Sequence, residues 1–239
     1  MLVHGFGEDH SIWDLQVQHL EKHCTLIVPD LPGSGGSALQ DVSMEAMADH
    51  LKKILDEQSI STCIMIGHSM GGYVTLAFAE KYPGMLSGFG LFHSSAYADS
   101  EEKKETRRKA IEFIKKNGTR EFLKTSAPNL IAKDTRNREE LIRNLVNRYD
   151  YLNPEALIAY YEAMILRPDR TKVLKGFTKQ VLMVLGLYDT AVPYEHGKEQ
   201  VKLLQKPVVH TLQKSAHMGM WEEPLESNSI LADYINNVI

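Results

Sequence analysis

Cysteine is almost absent from this chain of 239 residues: Cys24 and Cys63 are the only two, and they form no Cys-x-x-Cys pair. That excludes a dithiol motif. Each cysteine borders an apolar, strand-like run and reads as a buried free thiol, compatible with a reducing compartment. No run approaches the roughly 18 apolar residues of a membrane-spanning helix, and no signal peptide is visible, so a cytoplasmic location is expected. Excess positive charge is missing too. Lys and Arg number 27 against 31 Asp and Glu, a net charge of −4, which points away from a nucleic-acid or anionic-membrane partner. The most basic stretch, Lys103 to Lys116, is interleaved with Glu105 and Glu112 and reads as a solvated helix face. Internal repeats and low-complexity segments are absent. His10, His19, His23, His50, His196 and His210 lack metal-ligand spacing, and no metal site is expected.

What remains is an ordinary globular composition, 43% hydrophobic and 24% charged. Strand-like and helix-like runs alternate, which predicts a mostly parallel sheet with helices on both faces. Leu2-Val3 reads as the tail of a strand. A helix carries Trp13, Val17 and Leu20, and Leu26-Ile27-Val28 is a strand before a turn-rich segment. Ser43 caps a helix with Met47, Leu51 and Leu55 on one face. Further strands are expected at Cys63–Ile66, Phe89–Phe92, Val181–Leu185 and Val208–Leu212, and helices at Glu195–Leu204 and Leu225–Val238. Between about Ala96 and Arg170 there is no convincing strand. Asn137 with Glu140 resembles a capping box ahead of Leu141, Leu145 and Tyr149, and Asn153-Pro154 is a cap followed by proline at the first helical position. Residues 96–170 therefore read as a helical cap insertion, and residues 1–95 with 171–239 as the α/β core.

The chemistry concentrates where Cys63-Ile64-Met65-Ile66 runs into Gly67-His68-Ser69-Met70-Gly71-Gly72. A strand that turns into a helix with almost no connection leaves the residue at the bend strained and its side chain projecting. Ser69 is the candidate nucleophile. A serine hydroxyl needs a base, and the base needs an acid to hold its tautomer. Asp189 follows one strand and His217 the next, and carboxyl ends of parallel strands are where such residues meet. The backbone N–H of Met70, in the first turn of the new helix, and that of Phe6, in the loop His4-Gly5-Phe6-Gly7, are the candidate oxyanion donors. His4 reads as a support for that loop and His68 as packing or orientation. His93, Tyr97, Tyr161 and Trp221 are candidate substrate contacts, although packing accounts for the aromatic residues equally well.

Five segments together resemble the α/β-hydrolase superfamily, in its cap-bearing, serine esterase-like branch. They are His4-Gly5-Phe6-Gly7, Asp30-Leu31-Pro32-Gly33-Ser34-Gly35, Gly67 to Gly72, Gly186-x-x-Asp189-x-x-x-Pro193, and His217-x-x-x-x-Glu222-x-Pro224. They occur in family order across nearly the whole chain. The resemblance implies the α/β-hydrolase fold, the Ser69–Asp189–His217 triad, no cofactor, a small-molecule ester substrate, and a monomer or homodimer. Serine at 69 sets aside the haloalkane dehalogenases and epoxide hydrolases, which use aspartate there. C–C bond or enol-lactone hydrolysis, perhydrolysis or a lyase reaction by the same triad stays open, as does a non-catalytic ligand receptor of this fold. The family has further strands ahead of its His-Gly segment. A sheet without its first strands is therefore expected, either because the sequence is a shortened form or because the protein is minimal.

Overall fold

The computed structural model describes residues 1–238. Among them five strands, β1 (Leu2–Val3), β2 (Cys63–His68), β3 (Leu86–Phe92), β4 (Val181–Gly186) and β5 (Pro207–Leu212), lie side by side in that order. All four pairings are parallel. Val3 sits opposite Gly67, Gly67 opposite Leu91, and Phe92 opposite Val184, so the carboxyl ends of β1 to β4 finish close to level. β4 is buried along its whole length, as its unbroken apolar run Val181 to Leu185 requires, whereas the edge strand β5 is mostly half-buried or exposed.

The segment Leu26–Val28 is not a strand of this sheet. It makes one bond to it, from the Leu2 amide to the Ile27 carbonyl at 2.9 Å. A single bond does not make the repeating ladder of a strand. This contact nevertheless shows the path of the chain. It runs from β1 to one flank of β1, then back across to β2 on the other flank. Such a reversal is where parallel sheets open a crevice at their carboxyl ends. Helix α1 (Asp14–Leu20) packs on the last helix, while α2 (Met44–Glu57) packs on α3 (Met70–Lys81), so the sheet is covered on both faces. Ser43 caps α2, its Oγ accepting from the Ala46 amide at 3.2 Å.

β3 starts three residues earlier than the sequence pattern predicts. Gly88 is glycine for a packing reason: a Cβ there would lie 2.5 Å from the Tyr234 hydroxyl. That buried hydroxyl sits 2.9 and 2.8 Å from the Phe89 and Gln180 carbonyls.

After β3 the chain enters its helical excursion: α4 (Glu101–Ser126), α5 (Arg138–Tyr149), α6 (Pro154–Leu166) and α7 (Thr171–Gly176). α4 packs against both α5 and α6, and breaks at Gly118, whose φ of 78° no helix accommodates. The Lys103–Lys116 stretch lies on α4 and is largely exposed. Asn153 caps α6 as expected, accepting from the Glu155 amide at 2.8 Å. Asn137 does not build a capping box. Its backbone is left-handed, at φ 60°, and its side chain makes no cap hydrogen bond. A buried ion cluster pins the two ends of the excursion together. Asp99 pairs with Arg107 at 2.5 Å and with Arg167 at 3.0 Å, and Arg167 also donates to the Tyr97 carbonyl at 2.9 Å. The remaining helices are α8 (Tyr194–Val201), α9 (Gly219–Glu222) and α10 (Pro224–Val238), the last being the partner of α1. Cys24 and Cys63 are free and half-buried rather than buried.

Candidate active site

The bend between β2 and α3 is sterically possible only with glycine around it. A Cβ at Gly67 would lie 2.2 Å from the Gly71 carbonyl oxygen, and one at Gly71 would lie 2.4 Å from that of His4. Between them Ser69 takes φ 49°, ψ −115°, a conformation L-residues avoid. The strain is held by bonds on both sides. The Ser69 amide donates to the Phe92 carbonyl at 3.0 Å, and the Ser69 carbonyl accepts from the Ser94 hydroxyl at 2.7 Å.

The loops after β4 and β5 bring Asp189 and His217 to this bend. His217 Nε2 lies 2.9 Å from Ser69 Oγ, and His217 Nδ1 lies 2.8 Å from Asp189 Oδ2. Asp189 Oδ1 accepts from the Ala191 and Val192 amides at 2.8 and 2.9 Å. Burial opposes ionisation of Asp189, but the neighbouring His217, through its charge and hydrogen bond, outweighs it and holds the carboxyl well below the usual range. A carboxylate can only accept, so His217 Nδ1–H donates to it. In the neutral ring, Nε2 is then left with its lone pair toward the Ser69 hydroxyl.

The loop after β1 completes the cluster. A Cβ on Gly5 would lie 3.1 Å from Ser69 Cβ, which puts this loop directly against Ser69. Among the described residues, the amides of Phe6 and Met70 donate to no protein acceptor. His4 supports the loop as a neutral ring: Nε2 accepts from the Leu31 amide and Nδ1 donates to the Gly5 carbonyl, both at 2.9 Å.

The four candidate substrate contacts have different fates. Tyr161 stacks on Phe6 at 4.1 Å between ring centroids, with Phe122 edge-on to both. His93 is fully buried behind Asp189, with Nδ1 3.4 Å from Oδ2, and faces no opening. Its φ of 49° turns the chain inward at the end of β3. Tyr97 lines a cavity of about 800 Å³ with Tyr73, Lys103, Arg167 and His196, a lining that does not include Ser69, His217 or Phe6. Trp221 donates its indole N–H to the Ile12 carbonyl at 3.1 Å and lies under Arg148, so it packs α9 against the region before α1. Asp9, His10 and Asp30 approach one another closely, but both carboxylates already accept from Ser11, Tyr151, His10 and Gly36.

Glu222, recognisable in the sequence only as part of a motif, has a role that spacing does not reveal. Its Oε1 accepts from the Ala216 and Met218 amides, at 2.9 and 3.1 Å, on either side of His217. Its Oε2 accepts from the Ala132 amide and Thr135 hydroxyl in the helical excursion, at 2.8 and 2.7 Å. Together with the His217 amide on the Leu130 carbonyl, this carboxylate fastens the His217 loop to the excursion. Glu222→Ala strands four donors, and each buried unpaired group costs roughly 1–3 kcal/mol. We expect a lower unfolding midpoint in denaturant together with a reduced kcat; an unchanged midpoint would show that the clamp carries no stability.

The chain matches the family described as the alpha/beta hydrolase fold over residues 1–224. A thermophilic esterase from Thermogutta terrifontis superposes with a TM-score of 0.94 at 31% identity, over 99% of this chain and 89% of that one. The enol-lactonase of Burkholderia xenovorans LB400 superposes with a TM-score of 0.88 at 21% identity, over 98% and 90% of the two chains. A pimeloyl-[acyl-carrier protein] methyl ester esterase of Vibrio vulnificus is 26% identical over 94% of this chain and 89% of that protein. The chain belongs to the α/β-hydrolase family. It is an enzyme of that family, and no helix among its described residues is long and apolar enough to cross a membrane.

Proposed function

We propose that the protein is a serine esterase that cleaves small carboxylic esters through an acyl-enzyme. The observation that carries this reading is the continuous hydrogen-bonded line Asp189–His217–Ser69, at 2.8 and 2.9 Å, with two unpartnered amides beside the hydroxyl. The esterases among the similar proteins support the same bond type. The likeness to the enol-lactonase, at 21% identity, supports the fold alone.

In the proposed mechanism His217 Nε2 takes the Ser69 proton as Oγ attacks the ester carbonyl. The carbonyl oxygen, now negative, is held by the amides of Phe6 and Met70, each contributing roughly 3 kcal/mol to the transition state. Asp189 keeps Nδ1 protonated and stabilises the imidazolium. His217 then protonates the leaving alkoxide, and the alcohol departs. Water, deprotonated by His217, attacks the acyl-Ser69; as the second tetrahedral intermediate collapses, His217 returns that proton to Ser69 Oγ and the acid is released. Helices α4 to α6 act as a cap over this end of the sheet. The stacked rings of Phe6 and Tyr161 form an apolar wall for the acyl group. His93, Tyr97 and Trp221 are not part of the substrate pocket in this reading.

The test is pre-steady-state hydrolysis of p-nitrophenyl acetate. An acyl-enzyme gives a burst of p-nitrophenolate stoichiometric with enzyme, and a fluorophosphonate probe gives one adduct that peptide mass spectrometry places on Ser69. Absence of both burst and adduct would favour a ligand receptor of this fold instead.

A further inference from the structure

Beneath the candidate site lies a charged pair that the proposed mechanism does not use. Both His68 and Glu8 are buried, with side chains 0% and 4% exposed and His68 Nδ1 3.0 Å from Glu8 Oε2. The other ring nitrogen, Nε2, lies 3.0 Å from the carbonyl oxygen of His217. The carbonyl has no proton to give, and Glu8 has none as a carboxylate, the form its lowered pKa favours. A neutral imidazole donates from one nitrogen only, so satisfying both contacts requires the imidazolium. The same Glu8 oxygen accepts from the Gly5 amide at 2.7 Å.

The three contacts join the three segments that catalysis needs in register. His68 precedes the nucleophile. Glu8 and Gly5 flank Phe6 in the loop offering one oxyanion donor. The His217 carbonyl belongs to the base itself. We propose that His68 is a positioning residue: held as an imidazolium by Glu8, it locks the nucleophile bend, the oxyanion loop and the base into one geometry. This rests on the roles assigned to Ser69, Phe6 and His217 above.

Burial disfavours the imidazolium, but the charge and hydrogen bond of Glu8, with the His217 carbonyl, outweigh it and hold His68 above the ordinary histidine range. Burial likewise opposes the Glu8 carboxylate, and the facing His68 outweighs that, holding it below the ordinary glutamate range. Other titratable groups around the pair are Asp189, which favours the cation, the rings of His217 and His93, 5.1 and 6.2 Å from that of His68, His4 beside Glu8, and Tyr149, whose hydroxyl burial and the Glu8 charge keep protonated. The raised His68 contributes stability at low pH that is lost as pH rises through its folded value. The lowered Glu8 contributes stability at high pH that is lost as pH falls through its own. The lock therefore holds from below the ordinary glutamate pKa to above the ordinary histidine pKa.

Ring ¹⁵N NMR of the wild-type enzyme reads the charge directly, with no dependence on a variant folding. Both His68 nitrogens are expected to stay protonated to a pH above the ordinary histidine range, and to become unequal, as in a neutral ring, in Glu8→Gln. Misplacing reacting groups by about 1 Å can cost about a hundredfold in rate. His68→Gln and Glu8→Gln are therefore each expected to lower kcat on p-nitrophenyl acetate by about that factor with KM little changed, and the double variant to be no worse than the weaker single. The alkaline fall in wild-type kcat/KM should follow the loss of the His68 proton seen by NMR, and be missing from His68→Gln. A His68 that loses its proton at or below the ordinary histidine pKa, or His68→Gln at wild-type kcat, overturns the proposal. Because fluorophosphonate labelling reports on Ser69 separately, either result can be told apart from a wrong nucleophile.

Discussion

Ser69→Ala is expected to lower kcat for p-nitrophenyl acetate by about four to six orders of magnitude while leaving the fold intact. The size follows from the chemistry. Without Oγ there is no covalent intermediate, and His217 has no hydroxyl to deprotonate; what remains is water attack assisted by the oxyanion amides and by binding. The structural cost is small for equally specific reasons. The left-handed backbone at position 69 is fixed by the Ser69 amide on the Phe92 carbonyl and by the Ser94 hydroxyl on the Ser69 carbonyl, and neither bond involves the lost side chain. Alanine is no more strained there than serine. The one side-chain bond removed is that to His217 Nε2, and position 69 is only half-buried, so water replaces it. Steady-state kinetics beside a thermal melt reads both halves. Activity near wild type in a labelling-negative Ser69→Ala would sink the nucleophile assignment; a large fall in melting temperature would instead mean that the hydroxyl is a structural group.

The parts of this molecule that could be read in its sequence are those whose causes are local. Gly67 and Gly71 around Ser69 announce a bend because no Cβ fits there. The apolar run Val181 to Leu185 announces a buried strand because few other environments accept it. Where a cause was non-local, the pattern misled. The start of β3 at Leu86 escapes the pattern because nothing nearby in sequence reveals that Tyr234 fills the space above Gly88. Leu26–Val28 has the composition of a strand but makes a single bond to β1, from the Leu2 amide to the Ile27 carbonyl. Asn137 has the residue type and spacing of a cap, yet the loop before it delivers the chain in a left-handed conformation. The same divide runs through the site. Ser69, Asp189 and His217 each sit at a strand end, so topology alone brings them near one another. Whether His93, Tyr97 or Trp221 faces the substrate depends on how the helical excursion lies on the core. The carboxylates fastening that arrangement, Glu8, Asp99 and Glu222, bond across 60, 68 and 90 residues at their longest.

Asp189→Asn tests the least visible member of the line, and its expected effect is a fall in kcat of about 10⁴. The argument turns on which end of the new amide goes where. Asp189 Oδ1 accepts from two backbone amides, Ala191 and Val192, and these will take the asparagine oxygen because an NH₂ group cannot accept from them. The amide nitrogen is then left at the Oδ2 position, 2.8 Å from His217 Nδ1. An N–H facing Nδ1 forces that nitrogen to accept, which moves the ring proton to Nε2. Nε2–H then points at Ser69 Oγ and can no longer take its proton. The substitution should thus preserve the shape of the site and invert its tautomer. The carboxylate also matters to acid stability. Because its folded pKa lies below the ordinary aspartate value, the stability it contributes is present above that value and is lost as pH falls through the depressed one. Asp189→Asn should therefore lose stability at neutral pH and show a shallower decline on acidification than the wild type. Rates, ring ¹⁵N shifts of His217 and acid unfolding curves measure the three consequences separately. A variant that keeps wild-type kcat with the Nδ1 tautomer intact would mean that something other than Asp189 orients the base.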